Sequence, residues 1–316
     1  MRQSSEWGTV ARASAALALC VVLGGCGGES KQASPTLAPG PFNGDTAMAY
    51  VRAQLAFGAR VPGTEGAVKG GDWIVEQMRP RADSVVEQRW EHVTASGRKL
   101  QLRNILARFN PGAAERVLYV THWDSRPRSE SASDTARQRL PVPGANDGAS
   151  GVALFVALGD LLKRTPPRIG VDLLFVDGED YGEFGPPDVD VLLGSKYFVE
   201  HLPEPGYQPL FGVLWDMIGD RDLKIEQEAN SLRVAPEVVT LVWETARSLG
   251  YGDTFLPTEG LAITDDHIPF LEKGLHVIDV IDLDFPWHHT PDDTIDKISA
   301  ASLKRVGDVA WALLQR

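Results

Sequence analysis

The sequence predicts an α/β protein: a sandwich in which a mixed, mostly parallel sheet carries helices on both faces. Three observations lead there. Short apolar runs at Val117–Val120, Val171–Val176, Phe211–Trp215 and His276–Ile281 read as buried strands. Segments with apolar residues at helical spacing separate them, as in Ser150–Lys163, Pro236–Leu249 and Ser302–Leu314. Upstream, Ser84–Val93 and Lys99–Phe109 alternate around the turn-like Thr94-Ala95-Ser96-Gly97, which predicts an antiparallel hairpin and makes the sheet mixed.

Two helices precede the hairpin. Asp45 is expected to cap one over Thr46–Phe57, with Gly58 as its stop, and a second covers Ala67–Met78. The segment Ser125–Gly144 is polar, contains Pro and Arg, and reads as a loop. There is no internal repeat and no second apolar core, so residues 42–316 are expected to form one domain.

The first 41 residues have a different character. Arg2 and Arg12 precede a short apolar run, Ala15–Leu23, below the roughly 20 residues that span a bilayer. This reads as a secretory signal over residues 1–25. Its end, Leu23-Gly24-Gly25-Cys26, resembles a bacterial lipobox, which would make Cys26 an acylated first residue and anchor the protein to a membrane of the cell envelope, facing the periplasm. A Gly-, Ser- and Pro-rich stretch to residue 41 is expected to be a tether.

Composition narrows the function classes. With 43% hydrophobic residues the chain can bury a substantial core. Its 31 basic against 43 acidic residues argue against a nucleic-acid partner, which would need a basic face. The two cysteines, Cys20 and Cys26, exclude a disulfide framework for the body. No Gly-x-Ser-x-Gly or His-Glu-x-x-His is present.

The polar residues fall into place after the strands. Asp124, Glu179, Asp180, Asp216 and His289 each follow an apolar run, and ligands bind at the carboxyl ends of parallel strands. So many acids at one edge would repel one another without a cation, and imidazole with carboxylate suits zinc. Taken singly each has a plainer reading, as a helix cap, a turn former or a surface loop. Their joint order is harder to set aside: His122-x-Asp124, Asn146-Asp147-Gly148-Ala149-Ser150-Gly151, Gly178-Glu179-Asp180, Asp216, then His289.

In that order the chain resembles the zinc aminopeptidase and glutaminyl cyclase superfamily, from Gly58-Ala59-Arg60-Val61-Pro62-Gly63 to the last helix. The nearer likeness is to animal-type glutaminyl-peptide cyclotransferases, which share a three-layer αβα sandwich. Thr264-Asp265-Asp266-His267-Ile268-Pro269-Phe270 is similar to their motif, whereas the aminopeptidases usually carry serine where Asp265 stands. The 13 residues Tyr181–Leu193 between Asp180 and Gly194-Ser195 match their long loop, and Phe285-Pro286-Trp287-His288-His289-Thr290 resembles their last metal-binding segment.

The resemblance implies one zinc per chain held by Asp147, Asp180 and His289. It implies Glu179 as general acid/base with Asp216 and Asp265 in an acidic network behind it. It implies a substrate pocket lined by Ile263, Phe285 and Trp287, and peptides with an N-terminal Gln as substrates of a monomeric enzyme. The relatives often have Glu where Asp180 stands, a Trp in the long loop, and a Trp where His288 stands. The alternative is a zinc aminopeptidase in which His122 and Asp216 complete a second metal site bridged by Asp147. A third reading is a metal-containing lipoprotein that binds a peptide or glycan without turning it over.

Overall fold

A computed structural model describes residue 38 and residues 40–315. The expected signal over 1–25, the Cys26 acylation site and nearly all of the tether lie outside the described residues. Among the described residues no helix is long and apolar enough to cross a membrane.

Helix α1 (Gly44–Leu55) starts where the Asn43 side chain accepts a hydrogen bond from Thr46 N, so the cap is Asn43 and not Asp45. Asp45 sits instead in the first turn, where its charge favours the helix dipole. Helix α2 (Glu65–Met78) is capped by Thr64, whose side chain accepts from Ala67 N. Strands β1 (Ser84–Val93) and β2 (Lys99–Phe109) form the expected hairpin, with Val93 opposite Lys99.

The alternating core follows as β3 (Arg116–His122), α3 (Ala149–Arg164), β4 (Gly170–Val176), α4 (Leu193–Glu200) and β5 (Phe211–Asp216). Then come β6 (Ile225–Gln227), α5 (Ala229–Val234), α6 (Pro236–Ser248), β7 (Phe255–Glu259), α7 (His267–Glu272), β8 (Val277–Ile281) and α8 (Ala300–Leu313). The main sheet has the order β1-β2-β4-β3-β5-β8; its first two pairings are antiparallel and the rest parallel. β6 and β7 form a separate two-stranded pair.

Strand side chains alternate between two helical layers, as a period of two requires. Val117, Tyr119, Leu173, Phe175 and Trp215 pack with α1, α3, α6 and α8. Leu118, Val120, Leu174 and Leu214 pack on the other face with Phe198 of α4 and Phe270 of α7. Both faces of the parallel strands are therefore dry, which explains why they read as unbroken apolar runs rather than alternating ones.

The register aligns the strand ends that matter. His122 pairs with Val176 and Asp216 with Ile281, so β3, β4, β5 and β8 finish at one edge. From that edge the chain after β3 enters α3 in one layer, while the chain after β4 enters α4 in the other. A crevice opens where two such connections diverge. Two glycines of the Asn146–Gly151 segment permit the turn into α3. Gly148 has φ +89°, and a Cβ on Gly151 would lie 2.0 Å from Thr121 Oγ1 on β3.

Candidate active site

His122, the last residue of β3, is 1% exposed and lies among acids. Its Nε2 is 3.0 Å from Asp147 Oδ1 and 3.1 Å from Asp216 Oδ1; its Nδ1 is 3.6 Å from Asp124 Oδ1 and 3.7 Å from Glu179 Oε2. Burial opposes an imidazolium here, but Asp216, Asp124 and Asp147 together hold the His122 pKa well above its ordinary value. Asp124 also shapes the turn after β4. Its two carboxylate oxygens accept from Glu179 N at 3.1 Å and Asp180 N at 3.2 Å. Arg60, fully buried, donates to the carbonyls of Pro143 and Gly144 at 2.7 Å and so ties the Gly58–Gly63 segment to the loop before Asp147.

The three expected metal ligands meet at this edge. His289 Nε2 lies 3.3 Å from Asp180 Oδ1 and 3.8 Å from Asp147 Oδ2. Asp293 accepts from the backbone N–H groups of Asn146 and Asp147 at 2.8 and 3.1 Å, orienting the Asp147 turn. Asp147 Oδ2 and Asp180 Oδ2 are buried without a hydrogen-bond partner. Ligands at the Zn–N and Zn–O distances of a tetrahedral site stand about 3.3 Å apart, and the His289–Asp180 pair has that spacing. Asp180 joins neither group of three converging ligand atoms among the described residues. Asp147 belongs to two groups whose ligand atoms lie within 4.8 Å of one another, one with His288 and His289, the other with His122 and Asp216. Burial opposes it, yet His122 and His289 hold the Asp147 carboxyl below its usual range; Asp180 and its acidic neighbours push His289 up to about 10 against the effect of burial.

Glu179 is 7% exposed, and its pKa is raised well above the usual value by burial first, then by Asp180, Asp265 and Asp266. Asp265 is raised likewise by burial, Asp216 and Asp266. Behind them stands a group of residues that the sequence reasoning left out of the network. Burial pushes Asp266 up to about 7. Asp279, inside β8, is raised by burial, Asp265, Asp216 and Glu228. His267, fully buried, lies with Nε2 3.3 Å from Glu228 Oε2 and Nδ1 3.6 Å from Asp279 Oδ2. One signal for Asp279 was available: a charge in the otherwise apolar strand Val277-Ile278-Asp279-Val280-Ile281.

A cavity of about 230 Å³ opens onto Asp147, Glu179, Asp216 and Asp265, with Phe184, Ile263, Leu283 and His288 among its less polar walls. Ile263 stands where expected. Phe285 does not line the cavity; it packs behind the wall with Met217 and Ile281. Trp287 faces a separate cavity beside Asp282 and Asp284, with Lys297 Nζ 4.5 Å from its ring centre. The turn that gives His289 its φ of +53° turns His288 inward in its stead, and the long loop supplies Phe184.

The model described as Peptidase family M28 matches residues 104–314. The chain is 36% identical to the glutaminyl cyclase of Tannerella forsythia, with a TM-score of 0.82 over 86% of this chain and 98% of that one. It is 35% identical to a Zn-dependent exopeptidase from Parabacteroides distasonis, with a TM-score of 0.83 over 87% of this chain and 98% of that one. It is 27% identical to aminopeptidase YwaD of Bacillus subtilis over 62% of this chain, and spans only 40% of that relative's length.

Proposed function

The chain belongs to peptidase family M28, and we propose that within it the protein is a zinc-dependent glutaminyl-peptide cyclotransferase. It would convert an N-terminal Gln of a peptide to pyroglutamate with release of ammonia. One observation carries this reading over peptide hydrolysis: residue 265 is a buried acid that lines the same cavity as Glu179. Glu179, Asp216 and Asp265 line one cavity, and burial above all raises Glu179 and Asp265 beyond the usual carboxylate range. The group can therefore hold protons for a reaction that moves them but consumes no water. The likeness to the Tannerella forsythia glutaminyl cyclase supports it.

Asp147, Asp180 and His289 would hold the ion. The chemistry it supplies when bound is Lewis-acid polarisation of the substrate's γ-carbonyl. The chain's own residues do the rest. Glu179 takes a proton from the α-ammonium, the freed amine nitrogen bonds to the γ-carbon and sheds its second proton to solvent, and the C–N bond to the side-chain amide nitrogen breaks. Glu179 returns the proton to that nitrogen, which leaves as ammonia. A raised pKa suits a carboxyl that must both accept and donate near neutrality. Asp265 and Asp216 hold the shared proton behind it. Phe184, Ile263 and His288 close the cavity around a folded five-atom chain and keep water from competing with the amine.

A second reading, a zinc aminopeptidase, is favoured by the convergence of His122, Asp147 and Asp216 on one point. One experiment separates the two. The purified body is incubated with a Gln-initiated peptide and with aminoacyl anilides. Ammonia release with the matching mass loss supports cyclisation; free amino acid with two zinc ions per chain supports the peptidase.

For the N-terminus, Leu23-Gly24-Gly25-Cys26 supports a lipid-anchored, periplasm-facing enzyme. Cys26→Ser should then move the protein from the membrane to the soluble fraction, and unchanged membrane association would refute the anchor.

A further inference from the structure

The loop between β3 and α3 contributes two charged residues that the proposed chemistry does not use. Arg126 is 3% exposed. Its Nη1 donates to Asp180 Oδ1 at 2.7 Å and to the Asp180 carbonyl at 3.2 Å, while its Nε donates to Glu130 Oε1. That same Glu130 oxygen lies 3.1 Å from His289 Nδ1. One buried guanidinium and one carboxylate thus join the outer sides of two residues. Asp180 Oδ2 is left without a hydrogen-bond partner, and His289 Nε2 is turned toward Asp180, 3.3 Å from its Oδ1. The loop also grips the backbone that carries His289. Ser131 N donates to the His289 carbonyl at 3.2 Å, and Arg137 pairs with Asp292 at 2.7 Å. His289 needs such support, because φ +53° is unfavourable for a residue with a Cβ.

We propose that Arg126 and Glu130 are positioning residues that preorganise the metal site. Glu130 accepts the Nδ1 proton of His289 and so selects the tautomer whose Nε2 is a lone-pair donor. Arg126 fixes the orientation of the Asp180 carboxylate beside His289 Nε2. The charges agree with a divalent guest: Asp147, Asp180 and Glu130 carry three negative charges, and Arg126 with a divalent cation carries three positive. Arg126 also lies 5.8 Å from the Phe184 ring centre, so the same side chain steadies the ion's ligand and the aromatic wall. The inference rests on Asp147, Asp180 and His289 being the ligands.

The test is zinc affinity, measured by competition with a chromophoric chelator on the purified protein. Glu130→Gln and Arg126→Lys should each weaken zinc binding by about 10- to 100-fold, the usual effect of losing an outer partner of a metal ligand. Burial opposes it, but His289 and Arg126 hold the Glu130 carboxyl down at about 2, so the metal-free Glu130→Gln protein should melt below the wild type. Zinc affinity is compared at a temperature where both are folded. The visible spectrum of the cobalt(II)-loaded Glu130→Gln protein should shift, which a merely structural role would not produce. Arg128→Ala, which removes only the rim pair with Glu183, should bind zinc as the wild type does. Zinc affinity within twofold of wild type in both Glu130→Gln and Arg126→Lys overturns the inference. Asp180→Ala and His289→Ala keep the two failures apart. If these lose zinc while the clamp variants keep it, the clamp is wrong and the ligand set stands. If they too bind zinc like the wild type, the ligand assignment falls and the clamp with it.

Discussion

Replacing Glu179 by Gln removes one ionisable proton and almost nothing else. The residue is 7% exposed, its N–H is fixed by Asp124, and Gln has the same length and shape. Folding should not suffer. The Glu179 pKa is raised by burial and by Asp180, Asp265 and Asp266. A carboxyl raised in this way favours the native state only while it is protonated, and that advantage is lost as pH rises. An amide at this position loses nothing with pH, so the melting temperature at pH 8 should be at least that of the wild type. Catalysis should collapse, because an amide cannot take the α-ammonium proton and return it. A positioned acid/base is worth about 10²- to 10⁴-fold, or roughly 3–5 kcal/mol of barrier. The assay is ammonia release from a Gln-initiated peptide, paired with elemental analysis of zinc. Zinc should stay bound at one ion per chain while the rate falls below about a hundredth of wild type. A higher residual rate would refute the assignment of Glu179 as proton carrier. Loss of zinc together with activity would show that Glu179 holds the ion instead.

His289→Ala should lose the zinc as well as the activity, whereas His122→Ala should keep one zinc and more than about a tenth of the rate, a smaller loss than a proton carrier's. Two zincs in the wild type, with one lost in His122→Ala, would favour the peptidase. Asp265→Asn removes one of the charges that raise Glu179, so the acidic limb of the kcat/KM profile should move to lower pH while zinc content is unchanged; a limb that stays in place separates the two groups. Asp282, buried away from the cavity, has its pKa raised to about 7 by burial and by Asp220. Its contribution to native stability is complete below the unfolded carboxyl pKa of about 3.9 and lost as pH rises to about 7. Asp282→Asn should therefore raise stability by about 2–3 kcal/mol more at pH 8 than at pH 5. Equal denaturant midpoint shifts at the two pH values would contradict that pKa.

The sequence by itself determined the hairpin, the four parallel strands and the helices of three or more turns. Their side chains repeat with the period of the backbone, and a repeat is visible without neighbours. It also determined the chemistry-bearing residues that follow strands, since the register brings His122, the Glu179 turn and Asp216 to one edge wherever those strands pair. The short helices α4, α5 and α7 run only six to eight residues, less than a repeat needs to declare itself, and were legible only as loop or cap signals. Tertiary structure decided which neighbour of His289 faces the substrate. Within Phe285–Thr290 a single left-handed residue turns Trp287 out and His288 in, and no local pattern encodes that rotation. It alone decided the partners of Arg126 and Glu130. They sit in an aperiodic loop, and their roles come from Asp180 and His289, which lie 54 and 159 residues away along the chain from Arg126 and Glu130 respectively. An ion pair is specified by where two side chains end in space, and only the packed sheet brings those ends together.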